Sequence, residues 1–308
     1  MTDGPVAAAA PRSRPPRPRV VLVDGVPMSG LLSEAADPRA VVVALHGGGT
    51  TSAYFDCPGH PELSLLRLAA AAGFTAVALD RPGYGASAPY PDAMRHPDQR
   101  VSLVYGAVDT MLGDRPTGHG VFVLAHSNGC ELAVRLAAAE RGGELLGMAL
   151  AGTGLRYEPA AAEILKAASP TNRPVGLREL LWEPAAVYPP EVLAELPSAA
   201  SGAPYEAALV AGWPRRDFRE LAPQVRIPVL FSRAEHERVW QSGPEAMAEI
   251  AALFAASPRV VTDEILGAGH NLSLGWTAAA YHLRVLSFVA ECVAARQRGR
   301  TGMEVEAG

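Results

Sequence analysis

Short apolar runs alternate with stretches of helical periodicity along this sequence, which predicts an α/β chain with a mostly parallel central sheet, flanking helices and an inserted helical cap. Three observations carry that prediction. Runs that fit buried strands recur at residues 20–23, 40–45, 74–79, 121–124, 145–151, 227–231 and 260–265. Between most of them, at 63–72, 100–112, 129–140, 244–256 and 276–296, apolar residues fall at helical spacing. The third observation is an interruption. From about 155 to 221 the rhythm stops, and prolines, alanines and short helical pieces replace it without a convincing strand.

Each end of the pattern has its own signal. A first strand around Val20 and a second around Leu31 are separated by Asp24-Gly25, which predicts a hairpin leading into the sheet. Residues 1–18 carry arginines and prolines but no apolar segment with a cleavage site, and they read as a disordered tail. Residues 297–308 read as a second, polar tail. The expected organisation is therefore a core of 19–154 and 222–296, with a cap of 155–221. Tyr157, Trp182, Tyr188, Tyr205 and Trp213 fall within that cap. Trp182, Tyr188 and Trp213 are the expected lining of an apolar pocket beneath it.

Composition narrows the function classes. Of 308 residues, 49% are hydrophobic and 19% charged, a globular balance that suits one large domain with an insertion. No apolar run reaches the roughly 20 residues that span a bilayer, so a soluble chain without a membrane span is expected. The net charge of -5, a single lysine (Lys166) and the lack of a basic stripe argue against nucleic-acid binding. Cys57, Cys130 and Cys292 have neither metal-ligand spacing nor an even count, so reduced, structural thiols and a cytoplasmic location are expected.

The chemistry concentrates where strands end. Val121-Phe122-Val123-Leu124 runs into Ala125-His126-Ser127-Asn128-Gly129, and a helical pattern starts at once. Small residues beside a serine permit a tight strand-to-helix turn, which lifts the hydroxyl above the sheet near a helix N-terminus. Alanine stands where that pattern usually has its first glycine. Upstream, the strand ending at Leu45 leads into His46-Gly47-Gly48-Gly49. Glycines there let a backbone N–H turn toward a developing oxyanion. Gly48 is the first expected donor and Gly47 the alternative, with a second donor from the N–H of Asn128.

A serine hydroxyl needs a base, and the base needs a carboxylate to fix its tautomer. Among eight histidines, His270 ends Gly267-Ala268-Gly269-His270 just after the strand at 260–265, where a short loop can return it over the sheet. For the acid, the strand at 227–231 leads into a segment with two competing glutamates. Glu237 follows a small residue, Ala234, by three positions; Glu235 is the alternative.

Five segments in this order resemble the α/β-hydrolase superfamily over about residues 20–295. They are His46-Gly47-Gly48-Gly49, Asp80-Arg81-Pro82-Gly83-Tyr84-Gly85-Ala86-Ser87, the Ser127 turn, the Glu237 segment and Gly269-His270. The order Ser127, Glu237, His270 is the one that superfamily uses. The resemblance implies a cofactor-free and metal-free serine hydrolase acting on an ester or thioester of an apolar small molecule, acyl or polyketide-like, through an acyl-enzyme. It also implies two alternatives: carbon-carbon hydrolysis, cyclase, lyase or cofactor-free peroxidase chemistry on a secondary metabolite, or ligand binding without turnover. Serine in place of aspartate argues against haloalkane dehalogenases and epoxide hydrolases. The Asp80–Ser87 loop is expected to be structural.

Overall fold

The computed structural model describes residues 14–57, 59–167, 172, 174–195 and 202–306. Eight strands form one sheet: β1 (Arg17–Val23), β2 (Val26–Ser33), β3 (Val41–Leu45), β4 (Thr75–Leu79), β5 (Val121–His126), β6 (Gly147–Ala151), β7 (Val229–His236) and β8 (Val260–Gly269). Their spatial order is β1-β2-β4-β3-β5-β6-β7-β8. The two pairings made by β2 are antiparallel and all the others parallel.

Every residue of β3, β4 and β6 is buried, as a strand covered on both faces requires, and this is why these segments read as apolar runs, broken only by Thr75 at the start of β4. Alternation divides their side chains between two cores. Val41, Val43 and Leu45 join the core under α2 (Pro97–Leu112) and α3 (Gly129–Ala138), after α1 (Leu65–Ala71) has covered the other face. Val42 and Ala44 join the core that α1 shares with the C-terminal helix. The β1–β2 hairpin turns at Asp24 (φ 51°) and Gly25 (φ 80°), the paired positive φ values of a type I′ turn.

The segment between β6 and β7 is helical: α4 (Pro159–Lys166), α5 (Leu177–Trp182), α6 (Pro190–Glu195), α7 (Glu206–Gly212) and α8 (Phe218–Leu221). A bridge between Tyr157 and Trp240, whose rings stack at 4.1 Å, ties its start to the chain just beyond β7. α9 (Pro244–Leu253) then crosses to β8, and α10 (Ala278–Glu306) closes the fold.

Both expected tails are shorter than the composition suggested. β1 begins at Arg17, because Arg17 and Pro18 pair with Leu32 and Leu31 of β2; residues 1–13 lie outside the described residues. At the other end α10 continues through Glu306. Residues 294–298 are good helix formers, and the Arg296 guanidinium donates to the carbonyls of Glu144 and Leu145, which fastens the helix beyond its apolar part. By length and composition residues 278–299 would suffice to cross a membrane, but Tyr281, Val285, Phe288, Val289 and Val293 of this helix are core residues packed on the sheet.

Candidate active site

The Ser127 turn has the strain that its sequence implies. β5 ends at His126, α3 begins at Gly129, and Ser127 between them has φ 52°, a conformation uncommon for any residue with a side chain. The turn is held from below, where the Ser127 N–H donates to the Ala151 carbonyl at 2.8 Å. Gly129 is required by packing, since a Cβ there would lie 2.4 Å from the Leu45 carbonyl oxygen and 2.6 Å from that of His46. Ala125 is fully buried in β5, in register with Leu45 and Leu150, so its methyl group is absorbed into the core where the usual pattern has glycine.

His270 follows β8 directly, and its ring lies between Ser127 and Glu237. Its Nε2 is 3.3 Å from Ser127 Oγ, and its Nδ1 is 3.0 Å from each carboxylate oxygen of Glu237. An ionised carboxylate can only accept, so Nδ1 carries the proton and Nε2 presents a lone pair to the serine. Both side chains are 3% exposed. Burial alone would raise the Glu237 pKa. The charge of a protonated His270, the hydrogen bond from that ring and the backbone N–H groups of Val239 and Trp240 outweigh burial and hold it below the ordinary carboxylate value. Glu235 does not meet His270. Its side chain is 41% exposed and accepts the Gly267 N–H at 2.6 Å, because β7 continues through His236 beside β8, with a register irregularity between Ala234 and His236, and sets Glu235 against β8.

Two further histidines support this arrangement without facing the serine. His126 donates from Nε2 to the His270 carbonyl at 2.8 Å and stacks on Tyr54 at 4.6 Å, so the residue before Ser127 also pins the backbone of His270. His46 donates from Nδ1 to the Gly47 carbonyl at 2.7 Å and accepts the Arg81 N–H at Nε2, 3.0 Å away. Burial pushes both imidazoles well below their ordinary pKa and keeps them neutral.

Gly47, Gly48 and Gly49 pass beside Asn128. The N–H groups of Gly48 and Asn128 have no protein acceptor among the described residues, whereas the Gly49 N–H donates to the Tyr84 hydroxyl at 3.1 Å. A Cβ on Gly48 would lie 2.8 Å from Asn128 Nδ2, and one on Gly47 3.0 Å from His126 Nδ1 and 3.1 Å from the Ser127 Cβ, so the loop passes close to the serine and a side chain there would have to displace Asn128 or His126. Above it opens a cavity of about 1010 Å³. Ser127, His270, Gly48 and Asn128 lie in its floor, and Leu165, Leu177, Leu181, Trp182, Val210 and Trp240 are among its walls.

Residues 42–281 match the family described as the alpha/beta hydrolase family. The chain belongs to that family. Solved structures agree on the fold. A soluble variant of monoglyceride lipase from Saccharomyces cerevisiae superposes with a TM-score of 0.68 at 12% identity, over 91% of this chain and 96% of that one. A carboxylesterase from Bacillus subtilis gives 0.66 at 16% identity, over 89% and 91%. A thioesterase domain from the curacin biosynthetic pathway gives 0.60 at 18% identity, over 89% and 100%. At such identities the likeness concerns the fold alone. No curated protein matches the sequence significantly.

Within this α/β hydrolase the pocket differs from the expectation at two positions. Trp182 lines the cavity, but Tyr188 and Trp213 do not. Tyr188 is buried behind the His270 loop, where its hydroxyl accepts the Asn271 N–H at 3.1 Å and its ring meets Trp182 edge-on. Trp213 is turned into the body, stacked on Phe218 at 4.6 Å with its indole N–H on Thr153 Oγ1 at 2.9 Å. The aromatic walls are instead Trp182, Tyr157 and Trp240. Trp240 lies outside the helical segment between β6 and β7 and gave no sequence signal beyond its nearness to Glu237. Glu206 also lines the cavity and was not anticipated. In sequence it is an acidic residue opening a short helix, a placement that ordinarily means solvent exposure.

Proposed function

We propose that this α/β hydrolase is a serine hydrolase that cleaves an ester or thioester of an apolar small molecule through an acyl-enzyme. One observation carries the reading: the continuous contact from the Glu237 carboxylate through His270 to Ser127 Oγ in the cavity floor. His270 Nε2 takes the proton as Ser127 Oγ attacks the substrate carbonyl. The N–H groups of Gly48 and Asn128, free of protein acceptors among the described residues, receive the negative oxygen of the tetrahedral intermediate. Its collapse expels the alcohol or thiol, which takes the proton from His270 as it leaves. Water then attacks the acyl-Ser127 carbonyl, gives its proton to His270, and releases the acid while Ser127 recovers its proton. Glu237 stabilises the imidazolium at both stages.

The cavity supports an apolar acyl or polyketide-like group, since about 1010 Å³ walled by leucines, valine and indoles exceeds what a short acyl chain fills. Esterases, a lipase and a thioesterase among the structural neighbours are consistent with such substrates. The test is turnover of p-nitrophenyl esters of graded chain length in 18O-labelled water. Hydrolysis places one heavy oxygen in the acid product of each turnover and is lost in Ser127→Ala. Turnover without heavy oxygen in an acid product would instead indicate lyase, cyclase or peroxidase chemistry.

A further inference from the structure

A set of hydrogen bonds runs from the cap to the glycine loop and involves none of Ser127, His270 and Glu237. Glu206, the first residue of α7, is 7% exposed. Its Oε1 accepts from Arg81 Nη2 at 2.5 Å and its Oε2 from the Tyr84 hydroxyl at 2.7 Å. Arg81 and Tyr84 are themselves 0% and 2% exposed. The same Arg81 Nη2 donates to the Gly47 carbonyl at 2.8 Å, and the same Tyr84 oxygen accepts the Gly49 N–H at 3.1 Å. The residues on either side of Gly48 are thus each held by a group that Glu206 holds in turn. Tyr205 anchors this segment independently, with its hydroxyl on the Pro82 carbonyl at 2.6 Å and its ring against the Arg100 guanidinium.

Three consecutive glycines have no side chains with which to fix their own conformation, and oxyanion donors are effective only when held in place beforehand. A buried ion pair adds little net stability over an apolar replacement, so its place against this loop calls for another account. We propose that Glu206 is a positioning residue: through Arg81 and Tyr84 it holds the Gly47–Gly49 loop in the geometry that receives the oxyanion, which makes cap seating and completion of the site a single event. This rests on the reading of Ser127 as the nucleophile.

The test uses Tyr84→Phe, which removes one hydroxyl without stranding a charge, together with Glu206→Gln, in the full chain. The readouts are kcat and KM for p-nitrophenyl butyrate, affinity for a phenylboronic acid that forms a tetrahedral adduct, and the thermal midpoint. Removing an oxyanion donor outright lowers kcat by about 10²–10³-fold, so loosening one support is expected to lower it about tenfold in Tyr84→Phe. KM is expected to stay within about twofold, boronate affinity to fall with kcat, and the midpoint to move little. Glu206→Gln is expected to lose more, by the same kcat-selective pattern. Wild-type kcat and boronate affinity in Tyr84→Phe, or losses that merely track a lowered midpoint, overturn the proposal and leave the hydrolase reading intact. A wild-type protein that reacts with no serine-directed probe sinks both.

Discussion

Replacing Glu237 by glutamine tests the relay at its acid. Both carboxylate oxygens lie 3.0 Å from His270 Nδ1, and Oε1 also accepts the Val239 N–H at 2.8 Å. Glutamine offers one acceptor and one NH2 group to a site filled with donors. If its oxygen faces His270, the NH2 group meets the backbone N–H groups. If it faces the backbone, the imidazole is driven to carry its proton on Nε2, which then points a donor at Ser127 and removes the base. With the side chains 3% exposed, water cannot repair either arrangement. The corresponding change in other Ser-His-acid enzymes lowers kcat about 10⁴-fold, so a fall of roughly 10³–10⁴, equivalent to about 4–5.5 kcal/mol of transition-state stabilisation, is expected. Glu235→Gln is the control, because that carboxylate bonds Gly267 at the surface and should alter kcat less than twofold. Steady-state kinetics on a p-nitrophenyl ester decides. Loss in both variants, or a Glu237→Gln enzyme within tenfold of wild type, would refute this account of the acid.

Three buried histidines make stability fall on mild acidification. His46 and His126 are held well below their ordinary pKa by burial and His282 is pushed down to about 3, so the folded protein keeps them neutral while the unfolded chain protonates them below about pH 6.5. Each then costs about 1.4 kcal/mol per pH unit, and urea unfolding should weaken by up to roughly 4 kcal/mol per unit as pH falls from 6 to 5. His282→Gln should reduce that slope by about a third; a flat profile would contradict the assignment. Glu237 acts lower on the scale. Its depressed pKa contributes stability above the unfolded value of about 4.3 that is lost as pH falls through the folded one, so the stability gap between wild type and Glu237→Gln should close below about pH 4. Trp182→Ala should raise KM for long-chain esters several-fold by removing a cavity wall, about 1–2 kcal/mol of contact, whereas Trp213→Phe should lower the melting temperature and leave KM unchanged. Equal KM effects from the two would show that the cavity walls are misassigned.

The features legible in the sequence are those whose signals are local. β3 and β6 are buried on both faces and therefore read as apolar runs; Ser127 follows such a run among small residues that mark a tight turn, whereas β7 and β8 run on to His236 and Gly269, past the apolar runs at 227–231 and 260–265, so Glu237 and His270 stood out by their local segments. What stayed hidden depends on contacts between distant segments. Tyr188 sits behind His270 because its hydroxyl meets Asn271, and Trp213 turns inward because Thr153 accepts its N–H; aromatic composition reports bulk but not direction. The choice between Glu235 and Glu237 turned on how far β7 extends, a boundary set by its pairing with β8. Glu206 looks like any helix-opening acid until the fold brings Arg81 and Tyr84 beneath it.

The central claim is that Ser127 is the nucleophile. Treating the protein with a fluorophosphonate and locating the adduct by tandem mass spectrometry tests it most directly. The account predicts one adduct per chain, on Ser127, absent in Ser127→Ala and strongly slowed in His270→Ala. An adduct on another residue, or a folded wild-type protein left unmodified, would contradict it.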